Sequence, residues 1–454
     1  MSDLTIDASG LEATLPAAAV PSWNATIRHF LAHSAATPNH LADTLRLAPD
    51  FAQARAVKAM FCCSLGRRAM VAVGRECLAE AETIALRSPP NRREAIYIEA
   101  ARAWCAGRLD VAADRLDALL KVWSSDALAM KLVQAVRFMM GDAAGMRASL
   151  AATVTAFGPD HFAYGFHMGA RSFAWGETGD LATALKLGEA AVECIPEDAW
   201  GLHAVAHVHD MRADPDAGLR WLDEHRHSWK PCNNFGTHVW WHQALMFLEQ
   251  GRHSDVLACY DNEVRAARTD DYRDIANATS LLARLMLEGV PVGDRWEELA
   301  DLSEAHVEDT TVIFGDMHTM LALVGGDRPE ARRKLVASMR AAPNAPSTYM
   351  DAVRTDPGVA LAQGLEHFAE GDYAAASRDL SAAAPALPEI GGSIAQRDVF
   401  ARITIDAAIR AERGAEALRL IAERTAHRGG AEDSFARTRL DALHGLTDAA
   451  RDAA

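Results

Sequence analysis

ALMFLEQGRHSDVLACYDNEV, residues 244–264, carries the clearest copy of the unit from which this chain is built. It pairs small and aromatic residues with a glycine break at Gly251 and an Ala/Leu-bearing run after it. That is the pattern of two amphipathic helices joined by a tight turn. The same pattern returns in GLEHFAEGDYAAASRDLSAA (364–383) and in FAWGETGDLATALKLGEAAVECIPED (173–198), where Pro196 closes the unit. On either side of it, turn glycines recur at Gly66, Gly107, Gly141, Gly179, Gly251, Gly289, Gly326, Gly371 and Gly414, with Asp214–Pro215 standing in at one turn. Successive intervals are 41, 34, 38, 35, 37, 38, 37, 45 and 43 residues.

A helix–turn–helix period of about 34 residues is the tetratricopeptide spacing, and longer connections account for the surplus. The sequence therefore predicts an all-α fold: an α-solenoid of about ten tetratricopeptide-like helix–turn–helix repeats, curled around a concave pocket. No alternating strand pattern is found. The expected organisation is a flexible N-terminal arm over 1–20, helical repeats over 21–160, and repeats carrying the pocket over 161–430. A capping helix and tail are expected over 431–454.

Composition narrows the function classes. Half of the residues are hydrophobic, aromatics are few, and the formal net charge is −16. A general nucleic-acid or anionic-membrane binder would need a cationic footprint, so neither partner is expected. The seven cysteines have no metal-finger spacing, which predicts core thiols in a reducing compartment. No run approaches 18 apolar residues, and the acidic N-terminus lacks a leader pattern. A cytoplasmic protein is the expectation.

Residues 199–249 carry the unusual chemistry. His203 and His207, four apart, share a helix face, and Asp210 falls within ~20° of His203 at ~100° per residue. His238 and His242 repeat the spacing, with Trp240 and Trp241 between them. In tetratricopeptide arrays the first helix of each pair lines the concave side. Tyr164, His167, Arg171, His203, His207, Asp210, His238, Trp241, His242, Asn277, Ser280, Asp316, His318, Gln396, Arg397 and Asp398 all fall on first helices. A common groove is the central expectation.

Each sharp reading has a bland counterpart. His203, His207 and Asp210 are spaced as a three-ligand metal set, which makes a divalent metal the one candidate cofactor. The zinc-protease glutamate is replaced by Ala204, which excludes that reading. The alternative is that these histidines hydrogen-bond neighbouring helices. His207, His238 and His242 are candidate acid–base groups, oriented by Asp210 or Asp316, against plain packing of His238 and His242 beneath the indoles. Trp241 is expected to face the groove as a ligand platform and Trp240 to sit in the core. Arg397 is a candidate anion clamp, against an ion pair within the array. Tyr164, His167, His203, His238, Trp241, Asn277 and His318 complete the expected ligand wall. Three functions follow: a protein binding a small polar molecule or peptide end in this groove, an enzyme using histidine acid–base chemistry there, with or without a metal, on an amide or ester, and an interaction scaffold. The His- and Trp-rich lining favours an enclosed pocket over a peptide clamp.

At 161–262 the chain resembles the tetratricopeptide repeat protein 38 family. EDAWGLHAVAHVHDM (197–211), WKPCNN (229–234) and HVWWHQALMFLEQGR (238–252) carry the resemblance, with weaker echoes at NATSLLARL (277–285), GDMHTMLAL (315–323) and GGSIAQRDVF (391–400). It implies a single closed-up helical-repeat domain and a cytosolic location, and brings no settled reaction. Family members tend to have histidine where this chain has Gly315 and Ile394, which implies a reduced site or a different ligand.

Overall fold

A computed structural model describes residues 5–341 and 348–452, with side chains to 445. Each of the ten turns read from the sequence joins two helices, from Ala52–Ser64 with Arg68–Arg87 to Ile394–Arg410 with Gly414–His427. One further pair, Val20–Leu31 and Thr37–Leu47, precedes them. The chain is an all-α helical-repeat protein of the α-solenoid class.

The two members of a pair differ in burial for a sequence reason. Two first helices are buried on every side, polar residues included: Ile313 through Leu323 are all buried, as are Asp274 through Leu285. Second helices bury one stripe only. Leu181–Cys194 buries Ala184, Gly188, Ala191 and Val192, a 3.6-residue period, and turns its charges outward.

Turn chemistry follows the left-handed conformation each break needs. Most of the turn glycines have positive φ, for example Gly251 at 69°. Where the glycine is displaced, another residue takes the conformation: Asp327 beside Gly326, Glu412 before Gly414, and Ala213 at the Asp214–Pro215 turn. Helix starts are capped by Asp126, Asp142, Asp180 and Asp372, and by two capping boxes, Asn91 with Glu94 and Ser393 with Gln396.

Residues 5–20 differ from the flexible arm expected over 1–20, of which the first four lie outside the described residues. Thr5–Ile6 pairs antiparallel with Glu12–Ala13. Asp7 accepts from Arg93 at 2.5 Å, and Thr14 is held by Glu94 through its backbone N–H and its hydroxyl, both at 2.6 Å. A buried guanidinium needs a carboxylate, and the arm supplies it. The last two residues of the expected tail are likewise not described.

The chain divides into two compact units rather than one domain. Unit 1 holds 1–205, 225–236 and 343–352, and unit 2 holds 206–224, 237–342 and 353–454. The division is neither the expected boundary near 160 nor contiguous. Residues 225–236 join unit 1 because Asn233 N–H donates to the His33 carbonyl at 2.8 Å, beside a bridge between Ser34 and Cys232. Unit 2 closes on itself. Arg428 reaches the Asp210 carboxylate at 3.3 Å, and the Ser434 hydroxyl donates to Glu249 at 2.7 Å. Among the described residues no helix is long and apolar enough to cross a membrane.

Candidate functional site

Within unit 2 three imidazoles converge. His207 comes from the last turns of Ala199–Met211, and His238 and His242 from Phe235–Glu249. Their ring nitrogens lie within 4.8 Å of one another. The His207 and His242 ring centroids are 4.5 Å apart, and those of His238 and His242 4.8 Å. His242 is fully buried, while His238 retains 9% exposure at the edge of the cluster. The i,i+4 spacing that aligns His238 with His242 is local, but their meeting with His207 is a tertiary event.

A second layer orients the cluster. His238 Nδ1–H donates to Asn277 Oδ1 at 2.8 Å, which leaves Nε2 as the basic nitrogen. Trp241 stacks on His238 at 5.2 Å and donates from Nε1 to the Ser280 hydroxyl at 3.0 Å. Arg284 lies over the Trp241 ring at 5.4 Å and donates to the carbonyls of Ser280 and Ala395. Burial lowers the pKa of all three histidines, to about 4 for His238 and well below 6.5 for His207 and His242, where neighbouring imidazoles add to the effect. The cluster is therefore neutral at pH 7. Neutral imidazole nitrogens in a close group are what a transition metal takes as ligands, with Asn277 as the outer-shell partner.

The other expected site residues are distributed differently. Asp210, grouped with His203 and His207 by spacing, faces Arg428, which also donates to its backbone carbonyl at 2.5 Å. The metal-capable group in unit 2 is made of histidines and does not include Asp210 or Asp316. Asp316 is buried on the first turn of Ile313–Gly325. On that helix His318 bonds its own Phe314 carbonyl at 2.8 Å and packs on Phe314 and Phe400. Burial holds it at about 4. Trp241 and Trp240 exchange the burial expected of them: Trp241 has no exposure, and Trp240 is half-buried.

The triplet Gln396–Arg397–Asp398 separates into three tasks. Gln396 completes the capping box, Arg397 donates to the carbonyls of Gly391 and Gly392, and Asp398 enters an ion network. Arg397 is thus turned onto its own loop. The sequence reading missed that network, in which Arg402, Arg424 and Arg428 gather around Asp398, Asp433 and Asp210. It also missed Arg284, although an arginine between Leu282 and Leu285 on a buried helix was a visible signal. Gly315 lies against Tyr272, whose ring would meet an added β-carbon at 3.1 Å. A larger side chain there would have to move that ring.

Tyr164, His167 and His203 belong to unit 1. His167 stacks on Phe157 at 4.5 Å, hydrogen-bonds Thr153 at 3.1 Å, and is lowered to about 3 by burial and then by Arg171. It is a packed core histidine. Tyr164 opens its helix, half-buried. His203 shares a face of its helix with His207 one turn on, and packs among Phe173, Trp200 and Phe235 at 5.1–5.6 Å.

No protein-family model matches the chain. A chain of the solved structure of Naa15/Naa10 bound to HypK-THB is similar at 13% identity with a TM-score of 0.26, over 90% of this chain and 64% of that one. This chain thus spans less than two thirds of that chain's length.

Proposed function

We propose that this helical-repeat protein holds a divalent transition metal on His207, His238 and His242, and through it binds a small polar ligand on the His238 side of the cluster. The carrying observation is the mutual approach of three neutral imidazoles within 4.8 Å. Metal-free acid–base catalysis is disfavoured by the same burial, because a general base works best with a pKa near the operating pH and these lie far below it. A second reading is metal-assisted hydrolysis of an amide or ester, in which the metal lowers the pKa of a bound water. The 161–262 resemblance supports placing the chain with the tetratricopeptide repeat protein 38 family, and the His/Trp surroundings favour a pocket over a peptide-binding scaffold.

Protein purified without chelator and analysed for metals is expected to carry near-stoichiometric Zn, Mn, Fe or Co. After stripping with EDTA, Co²⁺ should restore a d–d absorption band in wild type and not in His238→Ala/His242→Ala. A stripped, folded wild-type protein that takes up none of these ions would overturn the proposal.

A further inference from the structure

Unit 1 contains a second chemically distinctive group, assembled from four stretches remote in sequence. Lys131, on Ala127–Met139, places Nζ 2.7 Å from His33 Nε2 and 4.8 Å from the Trp200 ring centroid. His33 follows Val20–Leu31 in the left-handed conformation, with φ 54°. Its ring stacks on Phe235 at 4.3 Å and on Trp200 at 5.4 Å, and those two rings lie 5.5 Å apart. The WKPCNN loop fixes this arrangement, since Asn233 and Cys232 bond the segment around His33. Lys131, His33, Trp200 and Phe235 are each half-buried, so the desolvated amine lies beside two aromatic rings whose residues keep part of their surface in solvent.

The groups facing Lys131 from the elements around it are His33, Asp198 and Cys232. Burial lowers the lysine to about 8, with Asp198 and Cys232 opposing. Burial in turn raises Asp198 to about 7 and Cys232 to about 12. An ordinary lysine, near 10.4, has only ~0.04% neutral amine at pH 7 and one at 8 has ~10%. Desolvated lysines of this kind form Schiff bases with carbonyl compounds.

We infer that Lys131 is a carbonyl-reactive amine that forms an imine with a flat, apolar aldehyde or ketone lying on Trp200 and Phe235, with His33 carrying the proton. The Nζ lone pair forms the bond to the carbonyl carbon as the C=O π pair moves to oxygen. His33 Nε2 takes a proton from Nζ and returns it to that oxygen. The carbinolamine then loses water as the second Nζ proton departs, giving the C=N bond. No oxidant or reductant is consumed.

The test is labelling of the full-length protein with benzaldehyde, trapped with cyanoborohydride and mapped by mass spectrometry. Lys131 should react at least tenfold faster at pH 7 than Lys58, Lys121, Lys186, Lys230 or Lys334, with a rate rising through pH 8. Lys131→Arg should remove that signal. His33→Asn, which tolerates the left-handed backbone, should slow labelling at least tenfold while circular dichroism is unchanged. Should His33→Asn fail to fold, the wild-type pH profile decides alone. A Lys131 rate equal to those of the other lysines, a half-maximum near pH 10.4, or an unchanged rate in folded His33→Asn would each overturn the inference.

Discussion

Asp433→Asn should cost about 3–5 kcal/mol of stability, the price of leaving buried charge uncompensated. Asp433 is 1% exposed. It accepts from Arg424 at 2.9 and 2.5 Å and from Arg402 at 3.0 Å, and lies 3.7 Å from Arg428. With Asp398 and Asp210 it balances those three guanidiniums, and Arg284 stands 3.9 Å from Asp398. Neutralising one carboxylate leaves the three arginines with two partners, while asparagine keeps the shape and can still cap the Ala436 N–H. The assay is urea unfolding of the full-length chain, followed by circular dichroism and tryptophan fluorescence. Glu423→Gln is the control, because its 2.7 Å pair with Arg419 is half exposed at both ends and should be worth under about 1 kcal/mol. Burial opposes ionisation of Asp433, yet the Arg424 hydrogen bonds and the surrounding arginine charges hold its carboxyl well below the usual range. Its contribution is therefore present above the unfolded value near 3.9 and is lost as pH falls through the folded one. If Asp433→Asn and Glu423→Gln shift the midpoint equally, the network does not close unit 2 in the manner argued.

Acid should also act through His167, lowered by burial from 6.5 to about 3. The unfolded imidazole binds a proton that the folded one refuses, so up to about 5 kcal/mol present above pH 6.5 is lost as pH falls toward 3. His167→Phe should flatten that part of the stability–pH curve, and an unchanged slope would count against it. Asn277→Ala should weaken metal binding ~10–100-fold by freeing the His238 ring, read by competition with a chromogenic chelator; equal affinity removes Asn277 from the outer shell. Asp210→Asn should leave metal affinity unchanged but lower stability, since Asp210 serves Arg428. Loss of metal would return it to the ligand set. Gly392→Ala, at φ 77° with Phe314 2.6 Å from an added β-carbon, should cost about 2 kcal/mol or more in unfolding free energy; a neutral effect would contradict the close approach.

The helical hairpins and their turns were legible because they depend on neighbours in the chain. A left-handed turn every 34 to 45 residues, and apolar residues at 3.6-residue spacing, need no distant partner to be read. The same locality showed His238 beside His242 on one helix face, and it suggested Asp210 for the wrong companion. Spacing placed Asp210 near His203, but a buried guanidinium 218 residues further along the chain holds it instead. Which imidazoles meet, that Trp241 is fully buried and Trp240 only half-buried, and that Lys131 reaches His33 across 98 residues were decided by tertiary packing. A side chain's direction fixes only what it can touch, and burial decides which touching pairs must satisfy their charges and hydrogen bonds together.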